Sequence, residues 1–323
     1  MKTKKIAVFF GGFNNEREVS LNSGKNICLT LAQKYEVLPI EIGVDKSLNY
    51  VSLESLKKME NGFNLEKDFK LDILKKMSFE ELKKSNELGV DFVFLALHGA
   101  WGEDGGVQSI LDYYQIPYTG SSAKVNAICM DKLITQKLAN SIGIKTPLTF
   151  QISFPINSGV SLPNNYPLFA KPNSGGSSNG NKLIRQEEDY NSLKGEYLIQ
   201  EYISGREFTV GIIDSEALPV IEIIAENNFD YAAKYLSNST KEIFPDESKL
   251  TKELQKQTLL LTRELGCRGL TRSDFLVTLQ GENQIYYLET NTIPGCTSSS
   301  LCPKMAKKLN YSMLEFLEKQ FPK

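Results

Sequence analysis

Apolar runs that end in glycine, followed by a stretch of helical spacing, open the chain. Residues 6–10 (IAVFF) stop at Gly11-Gly12, and apolar positions then recur with helical period over 16–34. Residues 35–42 and 91–99 are further near-continuous apolar runs, and 116–120 is a shorter one. Continuous hydrophobicity marks strands buried on both faces, as in a parallel sheet covered by helices. Between the second and third runs, residues 52–88 are rich in Lys, Glu and Leu at helical spacing; a solvated helical excursion without chemistry is predicted there.

A helix is predicted over 123–142, ended by Gly143 with Pro147 beyond it. Residues 157–165 read as loop. The texture then changes to short segments suited to antiparallel pairing, at 167–171, 182–186, 197–203, 207–213 and 218–224. A helix over 248–265, a hairpin over 273–289 and a closing helix over 311–319 follow, with no internal repeat or low-complexity tract. The expected class is α/β and α+β: a doubly wound parallel-sheet domain, then mixed α+β domains.

Composition narrows the chemistry. The 323 residues suit two or three domains, and 37 basic against 39 acidic residues leave a net charge of −2. That balance points to neither nucleic acid nor an anionic membrane as partner. One histidine rules out a His-built metal site and forces any histidine-dependent triad through His98. Five cysteines without a C-x-x-C pair are neither a disulfide framework nor a zinc ribbon. The run after Lys4-Lys5 is too short for a signal peptide, and no stretch is long and apolar enough to span a membrane, so the expected location is the cytoplasm.

The hairpin carries the most informative geometry. A two-residue turn at Gly281-Glu282 places Asp274 opposite Glu289 and Arg272 opposite Asn291, all on one face. Facing carboxylates repel. A divalent cation resolves this, and oxygen donors from Asp, Glu and Asn suit Mg²⁺ or Mn²⁺ shared with substrate phosphates. The plainer alternative is a solvated face on which Arg272 neutralises one acid.

Three loops add weaker signals. Residues 170–180 (AKPNSGGSSNG) join two apolar runs, with lysine before the glycines, so this is neither a Walker A nor a G-x-G-x-x-G motif. It can fold over phosphates, or it is a plain hairpin loop. Gly11-Gly12 with Glu16, and 98–105 (HGAWGEDG), lie at carboxyl ends of strands, where open α/β sheets bind ligands. Glu16 can meet an ammonium group or favour the helix N-terminus, and His98 reads as catalytic or as a satisfied structural group.

Taken together, nine segments in register resemble the D-alanine–D-alanine ligases of the ATP-grasp superfamily. They are residues 11–24 (GG…EREVSLNSG), 98–105, 116–121 (IPYTGS), 130–132 (MDK), 170–180, 201–210 (EYISGREFTV), 229–235 (FDYAAKY), 272–275 (R-x-D-F) and 288–304 (LETNTIPGCTSSSLCPK). The resemblance implies an N-terminal substrate-binding α/β domain over 1–121 and a two-part ATP-grasp fold. Its central subdomain would span 122–203, and its C-terminal subdomain, with metal site and lid, 204–323.

The implied reaction phosphorylates one D-alanine with ATP, after which a second D-alanine displaces phosphate from the acyl phosphate. By similarity, Lys132 and Lys171 contact the phosphates under the loop carrying Ser177 and Ser178. Residues 200–203, with Gln200, Glu201 and Ile203, meet adenine, Glu207 meets the ribose, and Lys234 lies in the nucleotide-side lid. Asp274, Glu289 and Asn291 would ligate two Mg²⁺ or Mn²⁺ ions. Arg272 and the Gly295 N–H would stabilise the oxyanion. Glu16 would hold the first ammonium, with His98 beside the reacting carboxylate, and Ser300 with the Leu301 N–H would take the second carboxylate. Ser177 and Tyr235, linked to Glu16, would order the lid. The resemblance also implies a homodimer and no membrane or nucleic-acid partner.

Departures from the family pattern are Gln200 for a common Glu, Ser109 and Asp112 for a Gly and a Glu, and Cys296 for a Met, read as packing. Lys234-Tyr235 resembles the dipeptide-forming branch rather than ligases that use D-lactate or D-serine. Intact Arg272, Asp274, Glu289 and Asn291 argue against an inactive nucleotide-binding relative, and the missing G-x-G-x-x-G against a nicotinamide-dependent dehydrogenase.

Overall fold

The computed structural model describes residues 3–59, 71–83, 88–155, 161–175, 180–225, 240–279 and 283–323. Three sheets carry the fold. The first is built from β1 (Lys5–Gly11), β2 (Glu36–Ile42), β3 (Leu48–Val51), β4 (Ile73–Met77) and β5 (Phe92–Leu95) in the order β4-β3-β2-β1-β5. β1 pairs in parallel with β2 and β5, while β3 and β4 add antiparallel at one edge.

Helices cover both faces of β1, because its alternate side chains enter two different cores. Ile6, Val8 and Phe10 pack with Ile27 and Leu31 of α1 (Arg17–Leu31). Ala7 and Phe9 pack with Val107 and Leu111 of α3 (Gly106–Tyr113), α2 being the short Leu53–Lys58 helix. The first of these cores also takes in helices from the other end of the chain, α7 (Leu301–Lys308) and α8 (Met313–Glu318), through Cys302, Met305, Phe316 and Leu317. The C-terminus therefore closes back onto the N-terminal sheet.

Two sequence expectations need correction here. Residues 52–88 are not one helical excursion: α2 fills a single turn and a half, and Ile73–Met77 pairs with β3 as an edge strand. Its exposed Ile-Leu-Lys-Lys pattern hides the strand, since an edge solvated on both faces loses the apolar run that marks a central strand. Residues 123–142 form two helices, α4 (Ala123–Met130) and α5 (Lys132–Ser141). Asp131, in extended backbone, ends one and caps the other by accepting from Ile134 N at 3.0 Å.

The second sheet is antiparallel, β6 (Thr149–Phe154), β9 (Gly195–Glu201), β7 (Leu168–Pro172) and β8 (Lys182–Ile184) in that order. The third runs β13 (Thr240–Ile243), β12 (Ile221–Ala225), β10 (Gly205–Ile213), β14 (Leu270–Thr278) and β15 (Ile285–Asn291), with β11 (Glu216–Ala217) on β10. Helices α4, α5 and α6 (Lys249–Leu265) pack on it through Val125, Ala139, Leu254 and Leu261 against Phe208, Val210, Phe275 and Tyr287.

Close approach of α1 to β1 depends on Gly24, where a Cβ would stand 2.2 Å from Phe10 Cβ. Gly24→Ala is therefore expected to destabilise the first sheet by about 1–3 kcal/mol through overpacking, despite alanine's better helix propensity. Denaturant unfolding checks this; a stabilised variant would contradict the packing described.

Candidate active site

The hairpin of β14 and β15 brings Asp274 opposite Glu289 and Arg272 opposite Asn291, as the sequence predicts, but by a different route. Thr278 N donates to Gln284 O at 3.0 Å and Val277 pairs with Ile285, so the register at this end of the hairpin is one residue off the expected one; the turn expected at Gly281-Glu282 lies outside the described residues. A bulge between Asp274 and Phe275 then restores the pairing: Glu289 faces Asp274, Tyr287 faces Phe275, and Leu288 is the extra residue. Leu288 stands between Tyr287 and Glu289 without a partner on β14, and both Tyr287 and Leu288 are buried.

The charges on this face are interleaved. Arg272 grips Asp274 through Nε and Nη2, each 3.1 Å from a carboxylate oxygen, and Thr209 Oγ1 of β10 donates to Asp274 Oδ1 at 2.6 Å. Lys132 Nζ, from the first turn of α5, lies 3.5 Å from Glu289 Oε2 and donates to Gly175 O at 2.6 Å. Lys171 of β7 is buried among the same groups. Burial drives its ammonium down to about 8, against the pull of Glu289, Asp274 and Glu207 and with the push of Lys132. Burial alone would raise the Glu289 carboxyl, yet Lys132, Lys171 and Arg272 hold it below its ordinary value. Burial likewise opposes the Arg272 charge, and Asp274 overcomes it.

The plain alternative was right that Arg272 neutralises an acid, but the face is not a solvated one. Lys132, Glu289, Thr290, Asn291 and Gly175 line one cavity with Glu103 and Cys129. Asn291 Oδ1 accepts from Ile293 N at 2.9 Å. Among the described residues no three His, Cys, Asp or Glu side chains gather as a metal cluster; the candidate set is two carboxylates and an amide. Those are hard oxygen donors, the two carboxylates lying against Arg272 and Lys132, and they fit Mg²⁺ or Mn²⁺.

Loops after β1 and β5 meet this face. Asn14 Nδ2 donates to His98 O at 2.8 Å and Ala100 O at 2.9 Å, tying the two loops together. Gly99 has φ +69, and a Cβ there would stand 2.5 Å from Glu16 Oε2, so only glycine leaves room for that carboxylate. Arg17 holds the turn below, donating to Gly12 O at 2.8 Å and Ile42 O at 2.7 Å while paired with buried Glu41. His98 Nε2 lies 3.2 Å from Ser23 Oγ, and the Ile293 carbonyl accepts from the imidazole. Burial drives His98 down to about 4, with Arg272 pushing the same way, so the ring is neutral.

Glu103 escaped the sequence reading. Its Oε2 accepts from Gly99 N at 2.6 Å, and the Ile293 N–H, which donates to Asn291 Oδ1, also acts on its charge. His98 and Glu103 thus form a latch beside the loop that follows Asn291. The only sequence signal was its place in HGAWGEDG, which does not distinguish it from Asp104. Thr209 gave no signal beyond strand alternation.

The remaining candidates are dispersed around this cluster. Gln200 is buried, and its Nε2 donates to Gln136 Oε1 at 3.1 Å and Thr149 Oγ1 at 2.8 Å. Glu201 accepts from Leu148 N at 2.9 Å, Ile203 lies in the turn between β9 and β10, and Glu207 is on β10 opposite Leu276. Gly295 and Ser300 adjoin: a Cβ on Gly295 would stand 2.8 Å from Ser300 Oγ. Ser300 caps α7, which Leu301 opens, and its Oγ accepts from Thr297 N at 3.1 Å. Ser177, Ser178, Lys234 and Tyr235 lie outside the described residues. Cys296 is buried in the first core, as the packing role expected.

Burial, then the nearby Glu16 charge, pushes the Glu103 carboxyl up to about 8 from an ordinary 4.5. A raised folded value contributes stability below the ordinary one and loses it as pH rises through about 8. Glu103→Gln keeps the acceptor without the titration, so its Tm should gain on the wild type as pH rises from about 6 to about 8.5. A gap that is constant with pH would contradict a buried neutral carboxyl.

Comparison with known proteins identifies the family. The sequence profile for the D-ala D-ala ligase N-terminus matches residues 5–121, and that for the D-ala D-ala ligase C-terminus matches 153–319. The chain is 34% identical over 330 residues to the D-alanine–D-alanine ligase of Syntrophotalea carbinolica, covering 99% of this chain and 95% of that one. It is 34% identical over 326 residues to that of Clostridium beijerinckii, covering 97% and 96%. The solved D-Ala:D-Ser ligase VanG of Enterococcus faecalis superposes with a TM-score of 0.81 at 29% identity, over 99% of this chain and 98% of that one. The D-alanine–D-alanine ligase of Bacillus anthracis, solved with ATP, gives 0.74 at 28% identity, over 98% and 96%. The chain belongs to the D-alanine–D-alanine ligase family, with that family's ATP-grasp fold.

Proposed function

We propose that this chain ligates two D-alanines to D-alanyl-D-alanine, a peptidoglycan precursor, converting ATP to ADP and phosphate. One observation carries the reading: Lys132, Lys171 and Arg272 are interleaved with Asp274 and Glu289 where the His98 and Glu16 loops arrive. Phosphoryl transfer needs little covalent help from a protein. It needs positioned positive charge and a held acceptor.

In the first step a carboxylate oxygen of one D-alanine attacks the γ-phosphorus, the bond to ADP breaks, and an acyl phosphate forms. Lys132 and Lys171 offset the phosphate charge under the 173–180 loop, which includes Ser177 and Ser178. Residues Gln200, Glu201 and Ile203 border adenine and Glu207 the ribose. Because the Gln200 amide is already engaged by Gln136 and Thr149, backbone groups of this segment do the recognising. Asp274, Glu289 and Asn291 would hold two Mg²⁺ or Mn²⁺ ions, which supply further positive charge against the phosphates when bound. Glu16 holds the first ammonium, and neutral His98 lies beside the reacting carboxylate without adding a charge of its own.

In the second step the amine of the other D-alanine attacks the acyl carbon, the C–N bond forms, and phosphate leaves after a tetrahedral intermediate. Arg272 and the Gly295 N–H stabilise its oxyanion. Ser300 and the Leu301 N–H take the second carboxylate, while Ser177, Lys234 and Tyr235 belong to the lid that keeps water off the acyl phosphate. The work divides among units at 1–121, 122–203 and 204–323. ATP and small D-amino acids imply the cytoplasm as the working compartment, and no helix among the described residues can cross a membrane. A homodimer is the expected assembly.

The structural match to VanG keeps D-serine as a second acceptor worth testing. ADP release with D-alanine alone, then with D-serine or D-lactate added, separates the readings: D-alanine alone should support turnover, and no turnover with any of them would leave only a binding protein. Glu289→Gln should lower turnover by about 10²-fold or more and raise the Mg²⁺ concentration needed for half-maximal rate. An unchanged Mg²⁺ dependence would reject the hairpin as the metal site.

A further inference from the structure

Cys129 and Cys267 are 138 residues apart in sequence, yet their Sγ atoms lie 3.8 Å apart and share a hydrogen bond. The other three cysteines, Cys28, Cys296 and Cys302, are buried in the first core. Cys129 ends α4 and lines the cavity that holds Lys132, Glu289 and Asn291. Cys267 is half-buried in the short connection between α6 and β14, flanked by Gly266 at φ +75 and Gly269 at φ +67. We propose that Cys129 and Cys267 are an oxidative modification site, in which a low-molecular-weight disulfide converts the dithiol to an intramolecular disulfide and so slows phosphoryl transfer.

Geometry supports each part of this. A disulfide requires Sγ atoms ~2.05 Å apart, so the pair has less than ~2 Å to close. Cys267 lies in a connection of four residues between α6 and β14, whereas Cys129 is held in a helix on a packed core. Cys267 is the entry point, being the more exposed. The Cys129 thiol hydrogen-bonds its sulfur, a contact that favours the thiolate on Cys267 over one on Cys129.

The exchange balances. The Cys267 thiolate attacks one sulfur of the small disulfide RSSR, whose S–S bond breaks and releases one RSH after protonation. Cys129 then loses its proton and attacks Cys267 Sγ, releasing the second RSH. The protein pair is oxidised by two electrons and RSSR is reduced by two.

The consequence falls on the phosphate side of the site. Cys129 is followed directly by Met130, the Asp131 cap and Lys132, while Cys267 is five residues before Arg272. With Cys129 held in α4, drawing the sulfurs together pulls the Cys267 connection, and the start of β14 that leads to Arg272 and Asp274, toward the wall carrying Lys132. A misplacement of ~1 Å at such a site can cost about 10²-fold in rate.

The test treats the folded, full-length chain with oxidised glutathione. Thiols titrated after denaturation should fall from five to three. A peptide map without reductant should show Cys129 joined to Cys267, and ADP release should fall by about tenfold or more, with recovery in dithiothreitol. Cys267→Ser should keep its ADP release through the same treatment. The proposal is overturned by the absence of the cross-link, by a glutathione adduct that never resolves, by a cross-link without loss of rate, or by equal loss in Cys267→Ser. The rate arm rests on the ligase reading, but the thiol count and peptide map do not. A reduced protein without turnover would sink that reading and leave the cross-link to be judged by itself.

Discussion

The repulsion between Asp274 and Glu289 is the constraint around which the molecule is arranged. Opposed on a half-buried hairpin, two carboxylates would weaken it unless positive charge is brought in from elsewhere. It comes from three places: Arg272 on the same strand, Lys132 at the start of α5, and Lys171 on β7 of the other antiparallel sheet. The two sheets are therefore electrostatically tied through the site. The lysines are in turn buried because the carboxylates are there, and Lys171 keeps a labile proton near neutrality only in their company. Such a cluster is poised for a polyanion that arrives with its own cations, because each member already has a counter-charge to exchange.

The first domain joins this cluster through one short loop. Ile293 lies beside both His98 and Glu103, and its N–H is held by Asn291 Oδ1. Burial leaves both latch residues uncharged near neutrality, so no further ion is added to a crowded field. The Glu16 carboxylate lies against the His98 loop, in the room that Gly99 leaves for it. Helices α7 and α8 packed under the first sheet fix the other end of that loop, where Gly295 and Ser300 adjoin.

Much of this was legible in the chain, and the failures have physical causes. Central strands and long helices announced themselves because burial on both faces or one leaves a periodic mark. The 73–77 edge strand did not, since its exposed lysines mimic a solvated helix. The carboxylate pairing was anticipated from an unbroken register. Near the turn the strands pair one residue off that register and the bulge at Leu288 shifts it back, so the two offsets cancel at the site. Bulges leave little trace in composition. Glu103, Thr209 and the Cys129–Cys267 pair depend on contacts between distant segments, which spacing along one chain does not encode.

The account's central claim is that this charge cluster transfers a phosphoryl group to a substrate carboxylate before the new bond is made. Incubating the protein with ATP, Mg²⁺ and D-alanine labelled with oxygen-18 in its carboxyl group tests that claim directly, by mass spectrometry of the phosphate released. The acyl phosphate route breaks the bond between carbon and the labelled oxygen, so one oxygen-18 should appear in each phosphate formed with dipeptide. Dipeptide accompanied by unlabelled phosphate would contradict the account.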